Sequence, residues 1–203
     1  MRHRSDVRKL VLTLLLAMLA LLLGGLGTWA TFTGSTSVTQ GSIGSGTLSL
    51  TVPAAGATNR LTLGASDIAP GDTMQRAVNL TVGGTVDMTG MTLTTTAPTT
   101  SLLDTNAGNG LQVAIDRCSQ AWTESGSSPA FTYTCGGTTS SVLASRAVIG
   151  SNIALSNLLV SAGSTNFLRV TLTFPTSADD TYQGLTSAIS YQFAGTQRAG
   201  ANK

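Results

Sequence analysis

The body of this chain alternates. Leu48, Leu50 and Val52 share one phase, and so do Leu111, Val113 and Ile115. Leu168, Val170, Leu172 and Phe174 are in phase, as are Ile189, Tyr191 and Phe193. Thr73 to Val82 sets Met74, Val78, Leu80 and Val82 on one face, broken by Arg76, while Thr, Gln, Ala and Asn fill the other. Period two with β-branched and aromatic residues predicts strands with one face buried and one wet. Met88 and Met91 lie on opposite phases around Gly90, and a bulge at Gly90 would bring both inward.

The punctuation agrees with strands. Pro70-Gly71-Asp72 suits a turn with Pro second and Gly third, where positive φ is needed. Gly83-Gly84 is expected to turn a hairpin. Ala97 to Thr100, Gly108 to Gly110 and Ser125 to Pro129 read as loops, and Glu124 is placed in a loop as well. No helical stripe is visible in the body, and Ser140 to Ala147 reads as a short turn at most. About eight to ten short strands without helices predict an all-β sandwich or barrel.

The N-terminal pattern is different. Basic Met1 to Lys9 precedes the apolar run Leu10 to Leu26, which is broken only by Thr13. Small residues follow, with Thr28 and Ala30 at the −3 and −1 positions of a cut between Ala30 and Thr31. That order predicts a secretory signal peptide. An uncleaved anchor helix is the competing reading, since the run is only slightly shorter than a span of about 20 residues. No lipobox cysteine and no C-terminal apolar tail is visible, so a cleaved product is expected to leave the membrane.

Thr31 to Gly46 is extended, uncharged and sparsely apolar. Phe32, Gly34, Thr36 and Val38 share a phase, and Ile43 is the next apolar residue. The segment reads either as a mobile leader or first strand of the sandwich, or as a strand that pairs with another molecule.

Composition supports export. Charged residues make up 10% of the chain, against about 25% in ordinary soluble domains. Ser and Thr hydroxyls take over at the polar positions. Beyond Lys9 seven basic residues face eight acidic ones, all scattered. No basic patch exists for a phosphate backbone, so nucleic acid is not an expected partner. Cys118 and Cys135 are the two cysteines, and in an exported chain they predict a disulfide. A bridge closing such a loop stabilises by roughly 3 kcal/mol in the chain-entropy model.

Catalytic chemistry finds little material. The single histidine, His3, lies in the basic leader, and no H-E-x-x-H is present. A catalytic zinc needs three protein ligands, and a Ser-His-Asp triad needs a histidine. A Ser-Lys dyad has only Lys203. No catalytic residue, metal ligand or cofactor is therefore expected. Asp179-Asp180 beside Thr181 is either a calcium ligand pair or a solvated turn. Asn79-Leu80-Thr81 fits a glycosylation pattern but sits within an alternating strand. Trp122 is expected to pack near the cysteine bridge.

Several short motifs resemble one family. Gly27-Thr28-Trp29-Ala30-Thr31-Phe32 and Gly46-Thr47-Leu48-Ser49-Leu50 resemble the opening of the TasA/camelysin family of biofilm-matrix proteins. Ile68-Ala69-Pro70-Gly71-Asp72 resembles its P-G-D turn. Leu172 to Pro175, Tyr182-Gln183-Gly184 and Tyr191 to Gln197 resemble its C-terminal strands. The cysteine-bearing middle resembles high-GC Gram-positive members.

The resemblance implies a jelly-roll-like β-sandwich behind a signal peptide helix and an extended N-terminal strand. It divides the chain into a signal peptide (1–30), a donor-strand segment (31–46), a sandwich (47–198) and a tail (199–203). It also implies a dedicated signal peptidase, secretion from a Gram-positive bacterium and head-to-tail fibres. The donor strand of each subunit would enter the next, with Phe32, Val38 and Ile43 as pocket fillers. Copies of the chain are then its partners, and the membrane is met only in transit. A monomeric surface adhesin or binding module shares the fold and the export. A camelysin-type metallo-endopeptidase is the enzymatic rival.

N-terminal sequencing of the secreted protein should find a chain that begins at Thr31. Recovery of an intact Leu10 to Leu26 segment at the cell surface would establish the anchor instead.

Overall fold

The computed structural model describes residues 33–37, 41–43, 48–61 and 67–200. The leader, the Ala30–Thr31 cut, Phe32 and Val38 lie outside the described residues. Ile43 is described as backbone within a strand.

Twelve strands are present among the described residues. They are β1 (Thr33–Ser37), β2 (Gly41–Ile43), β3 (Leu48–Thr51), β4 (Thr73–Gly84), β5 (Met88–Thr99) and β6 (Gln112–Cys118). Then follow β7 (Trp122–Ser127), β8 (Ala130–Cys135), β9 (Thr139–Ala147), β10 (Gly150–Leu155), β11 (Thr165–Thr173) and β12 (Ala188–Gln197). Six form one antiparallel sheet in the order β2-β3-β4-β11-β6-β9, and four form another in the order β1-β12-β5-β10. The hairpin β7-β8 stands apart.

The alternating stripes become the core. Val78, Leu80 and Val82 of β4, Leu168 of β11, and Val113 and Ile115 of β6 are fully enclosed. They belong to one apolar cluster with Met91 and Leu93 of β5 and Tyr191 and Phe193 of β12. The sheets thus pack face to face as a β-sandwich, as the period-two pattern requires.

The turns follow their chemistry. Asp72 N–H donates to Ala69 O at 3.0 Å, and Gly71 takes φ 101° as the third residue of the turn. Met88 and Met91 are both buried, and the β5–β12 register slips between Thr196↔Gly90 and Gln197↔Met88. That slip is the expected bulge beside Gly90. Gly195 faces Met88 so closely that any Cβ would collide with its sulfur.

Five expectations are corrected. Gly83-Gly84 does not turn a hairpin: β4 runs through it, and the chain crosses to β5 of the other sheet. Ala97 to Thr99 belong to β5, because a register slip opposite β12 places Pro98 where no ladder bond is required. Ser140 to Ala147 lie in β9, whose pairing with β6 shifts twice and so breaks simple alternation. Glu124 and Ser125 to Ser127 lie in β7 rather than a loop, and the turn is confined to Ser128-Pro129, because the hairpin strands pair up to Ser127↔Ala130. A short helix, α1 (Leu102–Thr105), is fixed by a capping box between Ser101 and Asp104.

Asp104 also explains how a carboxylate sits beneath the surface. Burial works against its charge, but hydrogen bonds from Ser187, Thr100 and Ser101 N–H hold it below the ordinary carboxylate range. Asn166, fully buried, closes a two-way bond with the backbone of Leu159 at 2.7 and 2.9 Å.

Phe193→Ala should cost about 3–5 kcal/mol, because the ring is enclosed between both sheets. Denaturant unfolding checks this through a lower midpoint at an unchanged slope.

Candidate functional site

Two features lie at the surface of this sandwich: the edge strands formed by the N-terminal segment, and the disulfide-tied hairpin.

The N-terminal segment supplies the outermost strand of both sheets. β1 pairs antiparallel with β12, from Thr33↔Thr196 to Ser37↔Gln192. β2 pairs with β3, from Gly41↔Leu50 to Ile43↔Leu48. β1 also lies against β2 and β3, so β1 and β2 close one side of the sandwich. Each strand is held along a single edge. β1 carries no charge and no proline, the devices that usually guard an edge against pairing. The far edge of the same sheet is guarded differently: β10 bulges between Gly150 and Ile153, with Asn152 at φ 50°.

The hairpin is an insertion. β6 and β9 pair directly, Cys118 opposite Thr139, and β7-β8 is spliced between them. It folds back over the outer face of β4 and β11. Cys118 and Cys135 are joined, with Cα atoms 5.7 Å apart, which ties the root of the hairpin to the end of β6. Phe131 and Tyr133 of β8 pack on Ala77 of β4, with Trp122 against them. The Trp122 indole N–H donates to Phe167 O at 3.0 Å. Trp122 is therefore a packing residue beside the bridge, opposite Cys135 in the β7–β8 register.

Two arginines complete the clamp. Arg60 donates to both Glu124 oxygens at 2.7 and 2.9 Å and stacks 4.6 Å from the Phe131 ring centre. Arg169 binds Asp116 at 2.7 Å and stacks 4.6 Å from the Trp122 ring centre. The Tyr133 hydroxyl donates to Glu124 at 2.8 Å. Burial, then the bond to Glu124, pushes that phenol up to about 12. Arg60's hydrogen bond holds the Glu124 carboxyl below its ordinary range. Along the sequence these arginines are only singly scattered basic residues. The signal that marks the clamp is alternation within the insertion, where Trp122 and Glu124 share one phase and Phe131 and Tyr133 another.

The acidic residues are mostly committed to structure. Asp116 and Glu124 are ion-paired. Asp104 caps α1, Asp72 accepts from Ala69 N–H and Asp87 from Ala162 N–H. Asp179 accepts from Thr181 N–H and Oγ1, capping a 3-10 turn at Asp180–Tyr182, so the Asp179-Asp180 pair forms a turn. Asn79 is in β4, opposite Phe167.

A family model described as camelysin metallo-endopeptidase matches residues 6–202. The chain belongs to that family. No curated protein matches it. The camelysin family name points to a metal-dependent peptidase, so the donor set has to be tested against a metal. Among the described residues no group of three or more His, Cys, Asp or Glu could hold one. The two cysteines are spent in the bridge, and the buried carboxylate is already saturated by hydroxyl and amide donors. The described side chains do not fit a catalytic zinc.

The Glu124 ion pair gives the hairpin a pH dependence. A carboxyl with a lowered folded pKa stabilises fully above its unfolded value, about pH 4.3. That contribution is lost as pH falls through the folded value. Wild type should therefore be more stable than Glu124→Gln near neutrality, and the gap should close below pH 4. Thermal melts of both proteins across that range measure it.

Proposed function

We propose that this chain is a secreted structural subunit of a biofilm-matrix or surface fibre, assembling head-to-tail by donor-strand complementation. The observation that carries the reading is the place of β1 and β2 at the outermost position of the two sheets. Each strand is attached through one edge, and main-chain bonds supply the pairing. A neighbour's copy of the same segment would make the same bonds, so exchange between subunits costs little beyond association. A head-to-tail exchange of this kind does not close on itself and propagates. In this reading Phe32, Val38 and Ile43 fill the neighbour's apolar positions, and the chain is not an enzyme. The leader delivers it through a signal peptidase to the outside of a Gram-positive cell. It binds neither nucleic acid nor, once cleaved, the membrane.

One observation favours a second reading. β1 and β2 satisfy the sheet edges of their own chain, and a self-closed sandwich is a monomeric adhesin or binding module in its simplest form.

Deleting residues 31–43 should leave a folded domain that does not polymerise, since the sheets from Leu48 onward keep their register. Val38→Asp should also block assembly, because a neighbour's apolar pocket would receive an unpaired charge. Free peptide 31–43 should raise the melting temperature of the truncated domain by mass action. Electron microscopy decides: normal fibres from the truncated protein would overturn the mechanism. A full-length protein that stays monomeric at high concentration would favour the adhesin.

A further inference from the structure

A strand at the end of a sheet's order has one row of main-chain groups with no ladder partner, a template for pairing with another chain. Among the described residues the edges are β2 and β9 of the six-stranded sheet and β1 and β10 of the four-stranded sheet. Proteins blunt such edges with a short strand, a charge, a proline, a bulge or a cover.

Three of these edges are blunted. β9 gives two carbonyls to the loop after β10: Ser141 O accepts from the Asn157 amide at 2.7 Å, and Val142 O accepts from Ser156 N–H at 3.1 Å. It also carries Arg146, and its pairing with β6 shifts twice. β10 bulges between Gly150 and Ile153, with Asn152 at φ 50°. β2 is only 3 residues long. β1 is unlike them. Its 5 residues, Thr-Gly-Ser-Thr-Ser, pair with β12 in one unbroken register and include neither a charge nor a proline.

The composition of β1 also selects what can pair with it. An antiparallel pairing of β1 with its own copy sets the same segment on both sides of a twofold axis. A charge in such a contact would face its own copy, and like charges across a ladder destabilise it. β1 brings no charge, and neither do β12, β5 and β10 behind it. A foreign segment that relied on charge would find nothing in β1 to recognise.

We propose that β1 is a self-pairing edge. Two copies of the chain join antiparallel through β1, and their four-stranded sheets become one sheet in the order β10-β5-β12-β1-β1-β12-β5-β10. A contact this narrow is smaller than the roughly 1,200 Å² of a stable interface, so the dimer is weak and reversible. The inference does not rest on fibre assembly. A strand in the β1 position has the same free edge whether it is the chain's own or a neighbour's.

Sedimentation velocity and amide hydrogen exchange on the soluble fraction of the exported protein test it. The wild type should pass from monomer to dimer as its concentration rises to about 1 mM. Exchange of β1 amides should slow over the same range, while that of β2 amides stays constant. Ser35→Lys, at the centre of β1, should weaken the dimer at least about ten-fold, and Ser35→Glu should do the same. An equal mixture of the two should regain it, because unlike charges then meet across the ladder. Ala154→Lys, on the blunted β10, should leave it unchanged. If Ser35→Lys loosens β1 from β12, the mixture still decides, since a second loosened copy repairs nothing. A wild type monomeric throughout, or a dimer whose β1 amides exchange at the monomer rate, would overturn the proposal. So would a mixture no tighter than either variant alone. Ala154→Lys as damaging as Ser35→Lys would overturn it too, by assigning the contact to the outer face of the sheet.

Discussion

The sandwich is organised by one strand held on both sides. β11 pairs with β4 from Thr165↔Thr81 to Thr173↔Thr73 and with β6 from Phe167↔Cys118 to Thr173↔Gln112, both without a slip. A slip by one residue would turn Leu168 and Val170 to the outside and Arg169 and Thr171 into the core. The same register fixes the outer face. It puts Arg169 opposite Asp116, over which the inserted hairpin then lays Trp122. Core and clamp are thus two faces of one pairing decision.

Charge is divided unequally between the sheets. No residue of β1, β12, β5 or β10 is charged, whereas β4, β6, β9 and β11 carry Arg76, Asp116, Arg117, Arg146 and Arg169. The four-stranded sheet therefore meets water through Thr, Ser, Gln and Asn152, without a charged side chain. Its edges lack the lysines that commonly block association. β10 substitutes a bulge, and β1 has no such guard among its described features. The sheet that would be most hazardous as a free edge is the one that β1 closes.

Much of the fold is legible in the amino-acid pattern. Strands with one apolar phase stand out because period two survives wherever a single face is buried: β3, β4, β6, β11 and β12 all show it. The pairing of Cys118 with Cys135 is legible because two cysteines leave one intramolecular choice. β9 is hidden because its pairing with β6 shifts register twice and the consecutive Val142 and Leu143 both pack on the core, which breaks period two. β7 is hidden because a hairpin lying on the outside of a sheet buries only its aromatic and ion-paired positions. Helix α1 is hidden because one turn has no period, and only the Ser101–Asp104 capping box marks it.

A peptidase and a strand-exchanging subunit make opposite demands on the same sandwich. A peptidase needs unspent acids, sulfurs or imidazoles converging on a cleft. Here the one histidine belongs to the leader, the sulfurs are joined, and the carboxylates mostly close turns, caps and ion pairs. A strand-exchanging subunit needs the reverse: a rigid core whose bonds are all spent, and one peripheral segment whose bonds can be remade elsewhere. The unbroken β4-β11-β6 ladder, the disulfide and the arginine–aromatic contacts spend the core's groups. β1 and β2 each complete a sheet through main-chain pairing. That division between a committed interior and a peripheral pair of strands is what the proposed assembly would draw on.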